Sequence, residues 1–191
     1  GLEVTELSFG AMNLRKLDTF NQAYQILHYV LDCGVNLIDT ARAYNGINGE
    51  GKLVESEVLV GNAIRQRNDL KEPIIIISKH HGYKPAELKD DLKTTSGKLG
   101  IDGKGDLKIG NNDIKFVHLF HGINKDRWQM MQESGALDLA QELKEEGRVN
   151  YIGFSSHYAQ KQEIIEAIDS GIFDVCELPY NIFNRSLGED G

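Results

Sequence analysis

Apolar residues in this chain alternate between two rhythms. Ala23, Ile26, Leu27, Val30 and Leu31 recur at the spacing of one helix face. Gly34 stops that helix, and Val35–Ile38 follows as an unbroken apolar run suited to a buried strand. The alternation then repeats. A helix is expected over Glu55–Arg67 and a strand over Ile74–Ser78. Pro85 can open a third helix, where its missing N–H costs nothing, with Leu88, Leu92 and Leu99 on the buried side. Phe116–His121 reads as a strand, Ala136–Glu146 as a helix ended by Gly147, and Val149–Phe154 as a strand. Gln160–Ser170 reads as a helix ended by Gly171, Asp174–Leu178 as the last clear strand, and Val4–Gly10 as the first. The polar, glycine-rich stretch Ile101–Asn112 is expected to be a surface loop or small hairpin.

About six apolar strands separated by about five amphipathic helices predict a parallel α/β sheet. Doubly wound folds and (β/α)8 TIM barrels share this pattern. No G-x-G-x-x-G follows the first strand, and Gly103, Gly105 and Gly110 do not supply that spacing. This weighs against a dinucleotide-binding doubly wound sheet.

Polar side chains stand just past the ends of the apolar runs. Asp39 ends the second, with Tyr44 five residues on; Ser78 and Lys79 end the third; His121 ends the fourth; Ser155, Ser156 and His157 end the fifth. In a parallel barrel the C-terminal strand ends share one rim. An Asp, a Tyr, a Lys and a His meeting there would form a proton-transfer site.

Composition excludes some partners. Apolar residues make up 40% and charged residues 26% of 191, as in an ordinary globular protein read here as a single domain over 1–191. The 21 basic and 29 acidic residues give a net charge of −8, and no basic stripe marks a nucleic-acid or anionic-membrane surface. No apolar run reaches transmembrane length and no signal peptide is read at the start. Cys33 and Cys176 lie far apart, so a cytoplasmic protein with free thiols and no metal site is expected. His80, His81, His118 and His157 are expected to be non-catalytic, with His118 turned toward the helix layer. Trp128, Met130 and Met131 fall in a loop region, either lining a pocket or packing on a helix. Glu50, Glu55 and Glu57 read as a solvated helix face, and Asn45–Gly51 as a mobile loop by the pocket.

Several motifs resemble those of the aldo-keto reductase superfamily. Gly34-Val-Asn-Leu-Ile-Asp39-Thr-Ala-Arg-Ala-Tyr44 resembles the motif G-x-N-x-x-D-T-A-x-x-Y, and Ser78-Lys79 the lysine closing the third strand. Phe116-Val-His-Leu-Phe-His121 resembles the fourth strand, and Gly147-Arg-Val-Asn-Tyr-Ile-Gly-Phe-Ser-Ser156 the segment G-x-x-R-x-I-G-x-S-N. Leu178-Pro-Tyr-Asn181 with Asn184-Arg185 is similar to the stretch after strand six, and Gly1–Met12 to the opening. The stretches near His121 and Ala136–Leu143 are most similar to bacterial and archaeal members, some of which carry an iron–sulfur tail not seen here.

The resemblance implies reduction of a small-molecule aldehyde or ketone by NADPH or NADH. It implies Tyr44 as proton donor, Lys79 as the cation that lowers the Tyr44 pKa, Asp39 as the partner of Lys79, and His121 as the hydrogen bond to the substrate oxygen. It places Gly10, Ala11, Met12, Asp39, Ser155, Ser156 and Glu177 around the cofactor. Ser156 stands for the family's amide side chain and Glu177 for a frequent glutamine, and an ionised carboxylate accepts but cannot donate. A complete barrel takes about 250 residues. The resemblance therefore implies an incomplete barrel of about six βα units, with strands seven and eight missing and sheet edges exposed. A C-terminally truncated fragment, or a binding or regulatory subunit of the kind that potassium-channel beta subunits represent, is the alternative expectation.

Overall fold

The computed structural model describes residues 2–157 and 161–183. The chain opens with β1 (Phe9–Gly10), a 3₁₀ helix (Ala11–Lys16), α1 (Phe20–Asp32) and β2 (Leu37–Ala41). A short hairpin, β3 (Asn45–Ile47) and β4 (Leu53–Glu55), leads into α2 (Ser56–Arg65), β5 (Ile74–His80) and α3 (Pro85–Leu99). Then come β6 (Leu107–Ile109), β7 (Asn112–Phe120), α4 (Lys125–Ser134), α5 (Ala136–Glu145), β8 (Tyr151–Ser155), α6 (Lys161–Asp169) and β9 (Val175–Glu177). The strands order as β1-β2-β5-β7-β8-β9, all parallel, with β6 added antiparallel to β7. Parallel strands in chain order, joined by helical crossovers, make a half-barrel sheet.

Period-two side-chain alternation gives the sheet two faces. Ile74, Ile76, Phe116 and Phe120 pack with the helices in the main core. Their neighbours Ile75, Ile77, Val117 and Leu119 form a separate cluster on the inner face. Lys79 continues the inner row, whereas Ser78 and His80 face the helices, Ser78 donating to Glu57 Oε1 of α2 at 2.7 Å.

Local chemistry fixes the helix ends. Thr19 Oγ1 accepts from Gln22 N at 3.2 Å, and Gln22 Oε1 accepts from Thr19 N at 3.2 Å, a reciprocal capping box that starts α1. Thr19→Ala removes the first of these bonds and is expected to lower stability by about 1 kcal/mol, read as a lower urea midpoint with an unchanged m-value. Gly61 of α2 lies so close to α3 that an added Cβ would stand 2.1 Å from the Leu99 carbonyl oxygen. Only glycine allows that helix approach.

Five expectations are corrected. Trp128, Met130 and Met131 lie on helix α4, not in a loop, which makes six α-helices among the described residues. Asn124 Oδ1 caps that helix by accepting from Arg127 N at 3.0 Å. Trp128 packs against a neighbouring helix, its Nε1 donating to Glu166 of α6 at 3.2 Å. The Asn45–Gly51 stretch is largely hairpin rather than open loop. Glu57 is buried, held by Ser78, and does not belong to a solvated face. The first strand shrinks to Phe9–Gly10, while β7 begins at Asn112 because the predicted small hairpin with β6 extends it backward.

Candidate active site

The C-terminal ends of β2, β5, β7, β8 and β9 bring together most of the residues singled out above. Asp39 lies opposite Ile77 in the ladder, one step before Thr40 pairs with Ser78 and Ala41 with Lys79. Lys79 reaches along the inner face and is buried, its side chain 1% exposed. It donates a short hydrogen bond to Asp39 Oδ2 and another to Tyr44 Oη at 3.3 Å. Glu177, the last residue of β9, puts Oε2 3.2 Å from the same ammonium. Lys79 therefore sits among a phenol and two carboxylates.

Tyr44 is held through its peptide. Its N–H donates to the Ala41 carbonyl at 2.9 Å, and its own carbonyl accepts from Ser56 N at 3.0 Å. The next carbonyl, that of Asn45, accepts from Arg15 Nη1 at 3.2 Å. The Lys79 ammonium also lies 5.2 Å from the Tyr44 ring centroid.

His121 extends the inner rim just past β7, its ring edge-on to Tyr44 with centroids 6.1 Å apart. Its N–H donates to the His80 carbonyl at 2.8 Å. Its own carbonyl accepts from Tyr83 Oη and, at 3.4 Å, from Arg127 Nη1. The His81 ring stands 4.7 Å from that of His121. From sequence, His81 reads as non-catalytic, and neither Tyr83 nor Arg127 stands out, because Tyr83 lies in the connection between β5 and α3 and Arg127 on the unforeseen helix α4.

The electrostatics are set by burial and the two carboxylates. Burial pushes the Asp39 pKa up to about 6; Lys79 opposes the rise and Glu177 adds to it. Burial alone would lower the Lys79 pKa, but Asp39 and Glu177 outweigh it and the net shift is upward, so Lys79 is an ammonium. For Tyr44, burial is the largest influence and raises the pKa; Lys79 lowers it, while Asp39 and Glu177 raise it again. The expected lowering of the Tyr44 pKa by Lys79 is thus overridden, and the phenol stays protonated at neutral pH. Burial lowers the His121 pKa to about 4, so its imidazole is neutral and can donate from one nitrogen.

The residues expected around a cofactor spread along the same rim. Gly10 pairs with Asp39 in the ladder, and a Cβ built on Gly10 would meet nothing within 4 Å. Ala11 is buried and Met12 is exposed. Ser155 Oγ accepts from Gly122 N at 3.0 Å, and Ser156 Oγ donates to the Ile123 carbonyl at 2.9 Å. Both hydroxyls thus help hold the turn after β7. Glu177 Oε2 is buried, with the Lys79 ammonium 3.2 Å away as its charged neighbour. The open space over Gly10 leaves room for a flat ring against the rim. Among the described residues no cluster of His, Cys, Asp and Glu is arranged to hold a metal. No helix is long and apolar enough to cross a membrane among them. Asn184 and Arg185 lie outside the described residues.

The model of the Aldo/keto reductase family matches residues 6–189. The NADH-specific methylglyoxal reductase of Escherichia coli (strain K12) is 24% identical over 90% of this chain and 49% of its own length. A solved aldo-keto reductase of Pseudomonas aeruginosa, described as putative, superposes with a TM-score of 0.74 at 22% identity, over 98% of this chain and 67% of that one. An aldo-keto reductase from Klebsiella pneumoniae, solved in complex with NADPH, superposes with a TM-score of 0.68 at 20% identity, over 98% of this chain and 58% of that one. The chain spans about half the length of the curated relatives it matches, between 38% and 49%. The half-barrel sheet is the corresponding part of their (β/α)8 fold.

Proposed function

The chain belongs to the aldo/keto reductase family, and from that premise we propose that it carries the proton-transfer site of a reductase that turns an aldehyde or ketone into an alcohol with NADPH or NADH. One observation carries the reading: a buried lysine joins Asp39 to the Tyr44 hydroxyl, 3.3 Å away, at the C-terminal rim of a parallel sheet. A bound reduced nicotinamide supplies the hydride. Tyr44 gives its phenolic proton to the carbonyl oxygen. Lys79 lies against the phenolate left behind and stabilises it, and Asp39 keeps Lys79 in place. His121, neutral at working pH, donates an N–H to the substrate oxygen and orients it. Gly10, Ala11, Met12, Asp39, Ser155, Ser156 and Glu177 are the residues that would hold the nicotinamide end.

A second reading is a binding or regulatory subunit on the same scaffold. The engagement of both serine hydroxyls with the Gly122–Ile123 turn favours it, because fewer groups are left for the cofactor. Calorimetric titration with NADPH and NADH, followed by nicotinamide oxidation with methylglyoxal and a panel of aldehydes, separates the two. Binding with oxidation is the expected result. Binding without turnover favours the subunit, and failure to bind either nucleotide overturns both readings.

A further inference from the structure

We propose that Glu177 is a positioning residue of the proton-transfer site, a second carboxylate on Lys79 that makes Tyr44 hold its proton more tightly. The inference rests on the reading above, in which Tyr44 and Lys79 move the proton. Main-chain geometry fixes Glu177 at the site: it pairs with Ser155 in the last step of the β8–β9 ladder, and its carbonyl accepts from Ser156 N at 3.1 Å. Its Oε2 approaches Lys79 Nζ to 3.2 Å, while the side chain as a whole is 40% exposed.

The charge arithmetic explains the role. One ammonium beside one carboxylate is a neutral pair, and its positive end can stabilise a phenolate. One ammonium between two carboxylates carries a net negative charge, which opposes phenolate formation on Tyr44. The groups that face this phenol are Asp39 from β2, Lys79 from β5, Glu177 from β9 and the neutral His121 after β7; Arg15 of the 3₁₀ helix is turned to the Asn45 carbonyl. Among the described residues Lys79 is the one cation in contact with the hydroxyl. Whatever draws on Lys79 therefore reaches Tyr44 directly. Glu177 also raises the pKa of Asp39, to about 6, so in acid a neutral Asp39 offsets part of this charge, whereas above that value Asp39 keeps its charge. A tightly held phenolic proton still passes to the oxygen of a carbonyl receiving hydride, because an alkoxide is the stronger base. It is retained when no such oxygen is present, so Glu177 restricts proton release to the moment of reduction.

The test is a spectroscopic titration of tyrosinate in the free protein, with the Tyr44 signal isolated by subtracting the same titration of Tyr44→Phe. Glu177→Gln keeps the shape and removes the charge. It is expected to move the Tyr44 transition to lower pH by about one unit, a half-exposed charge being partly screened. Glu177→Asp, which keeps the charge, should restore at least half of that shift. An unmoved Tyr44 transition in Glu177→Gln overturns the proposal, and so does an equal shift in Glu177→Asp, which would mark a steric effect. The readout needs neither cofactor nor turnover. A shifted transition in a protein that reduces no carbonyl would support this role for Glu177 while overturning the reductase reading.

Discussion

Tyr44→Phe is expected to lower carbonyl reduction by about 10²–10⁴-fold, the usual worth of a positioned acid, while NADPH binds with unchanged affinity. The substitution deletes one oxygen and nothing else. The peptide of Tyr44 keeps its bonds to Ala41 and Ser56, so the ring stays in place. Lys79 keeps both carboxylates, so the loss of the 3.3 Å contact to Tyr44 Oη leaves no buried cation unpaired. What disappears, on the proposed mechanism, is the proton offered to the substrate oxygen. Single-turnover kinetics and a nucleotide titration on the same preparation check it, and full activity in Tyr44→Phe would remove Tyr44 from the chemistry. The pH profile should agree. Burial raises the Tyr44 pKa above its ordinary 10.0, so on the proposed mechanism the phenol stays protonated across neutral pH and activity is expected to fall only in strong alkali.

Acid is expected to unfold this protein well before its carboxylates are all protonated. His80 and His118 stack with ring centroids 4.1 Å apart, both wholly buried between the sheet and the helices. Neither ring nitrogen of His80 has a hydrogen-bond partner, and His118 Nε2 has none either. Burial lowers the His118 pKa from 6.5 to about 3 and drives that of His80 well down too. The sign follows from linkage. Between those values the unfolded chain binds protons that the native state refuses, so stability is complete above about pH 6.5 and falls as pH drops toward 3. At about 1.4 kcal/mol per unit and per proton, His118 alone withdraws several kcal/mol, a large share of the roughly 5–15 kcal/mol typical of a domain. Asp39 works the other way. Its pKa is raised from 3.8 to about 6, so its contribution is present in acid and lost as pH rises through 6. It offsets part of the histidine effect but not both buried rings. Urea midpoints measured from about pH 7.5 down to about 4.5 should fall steeply, and His118→Phe, which keeps a stacked ring without a titrating nitrogen, should flatten the slope. An identical slope in that variant would place the acid sensitivity elsewhere.

How far the sequence reveals this architecture depends on what each element is made of. The long core strands β5 and β7 and the helices α1, α3 and α5 are legible because their apolar residues obey a strict period. Helix α4 is not, since Trp128 and Met131 are its only buried side chains and a polar face dominates its pattern. Its signals were chemical rather than periodic: Asn124 at the start and a left-handed Gly135 at the end. Glu57 misled for a related reason. A carboxylate reads as solvated unless its partner is known, and Ser78 comes from a strand across the helix layer. At the site, the meeting of Asp39, Tyr44 and Lys79 follows from strand-end position plus parallel topology. The contact of Glu177 with Lys79 does not, because β2, β5 and β9 must first curve toward one another.

The two-faced rhythm of β5 makes the site a matter of counting. Ser78, Lys79 and His80 alternate between the helix layer and the inner face, and only the middle one belongs with Asp39 and Tyr44. Adding or deleting one residue between Ile74 and Lys79 would turn the ammonium into the helices and bring a serine or an imidazole to face Asp39. Adding two would restore the facing but carry Lys79 about 6.6 Å further along the strand, at about 3.3 Å per residue, beyond reach of both Asp39 and Tyr44. Length variation can therefore enter this chain through its connecting segments, whereas the strand that carries the lysine has one permitted length.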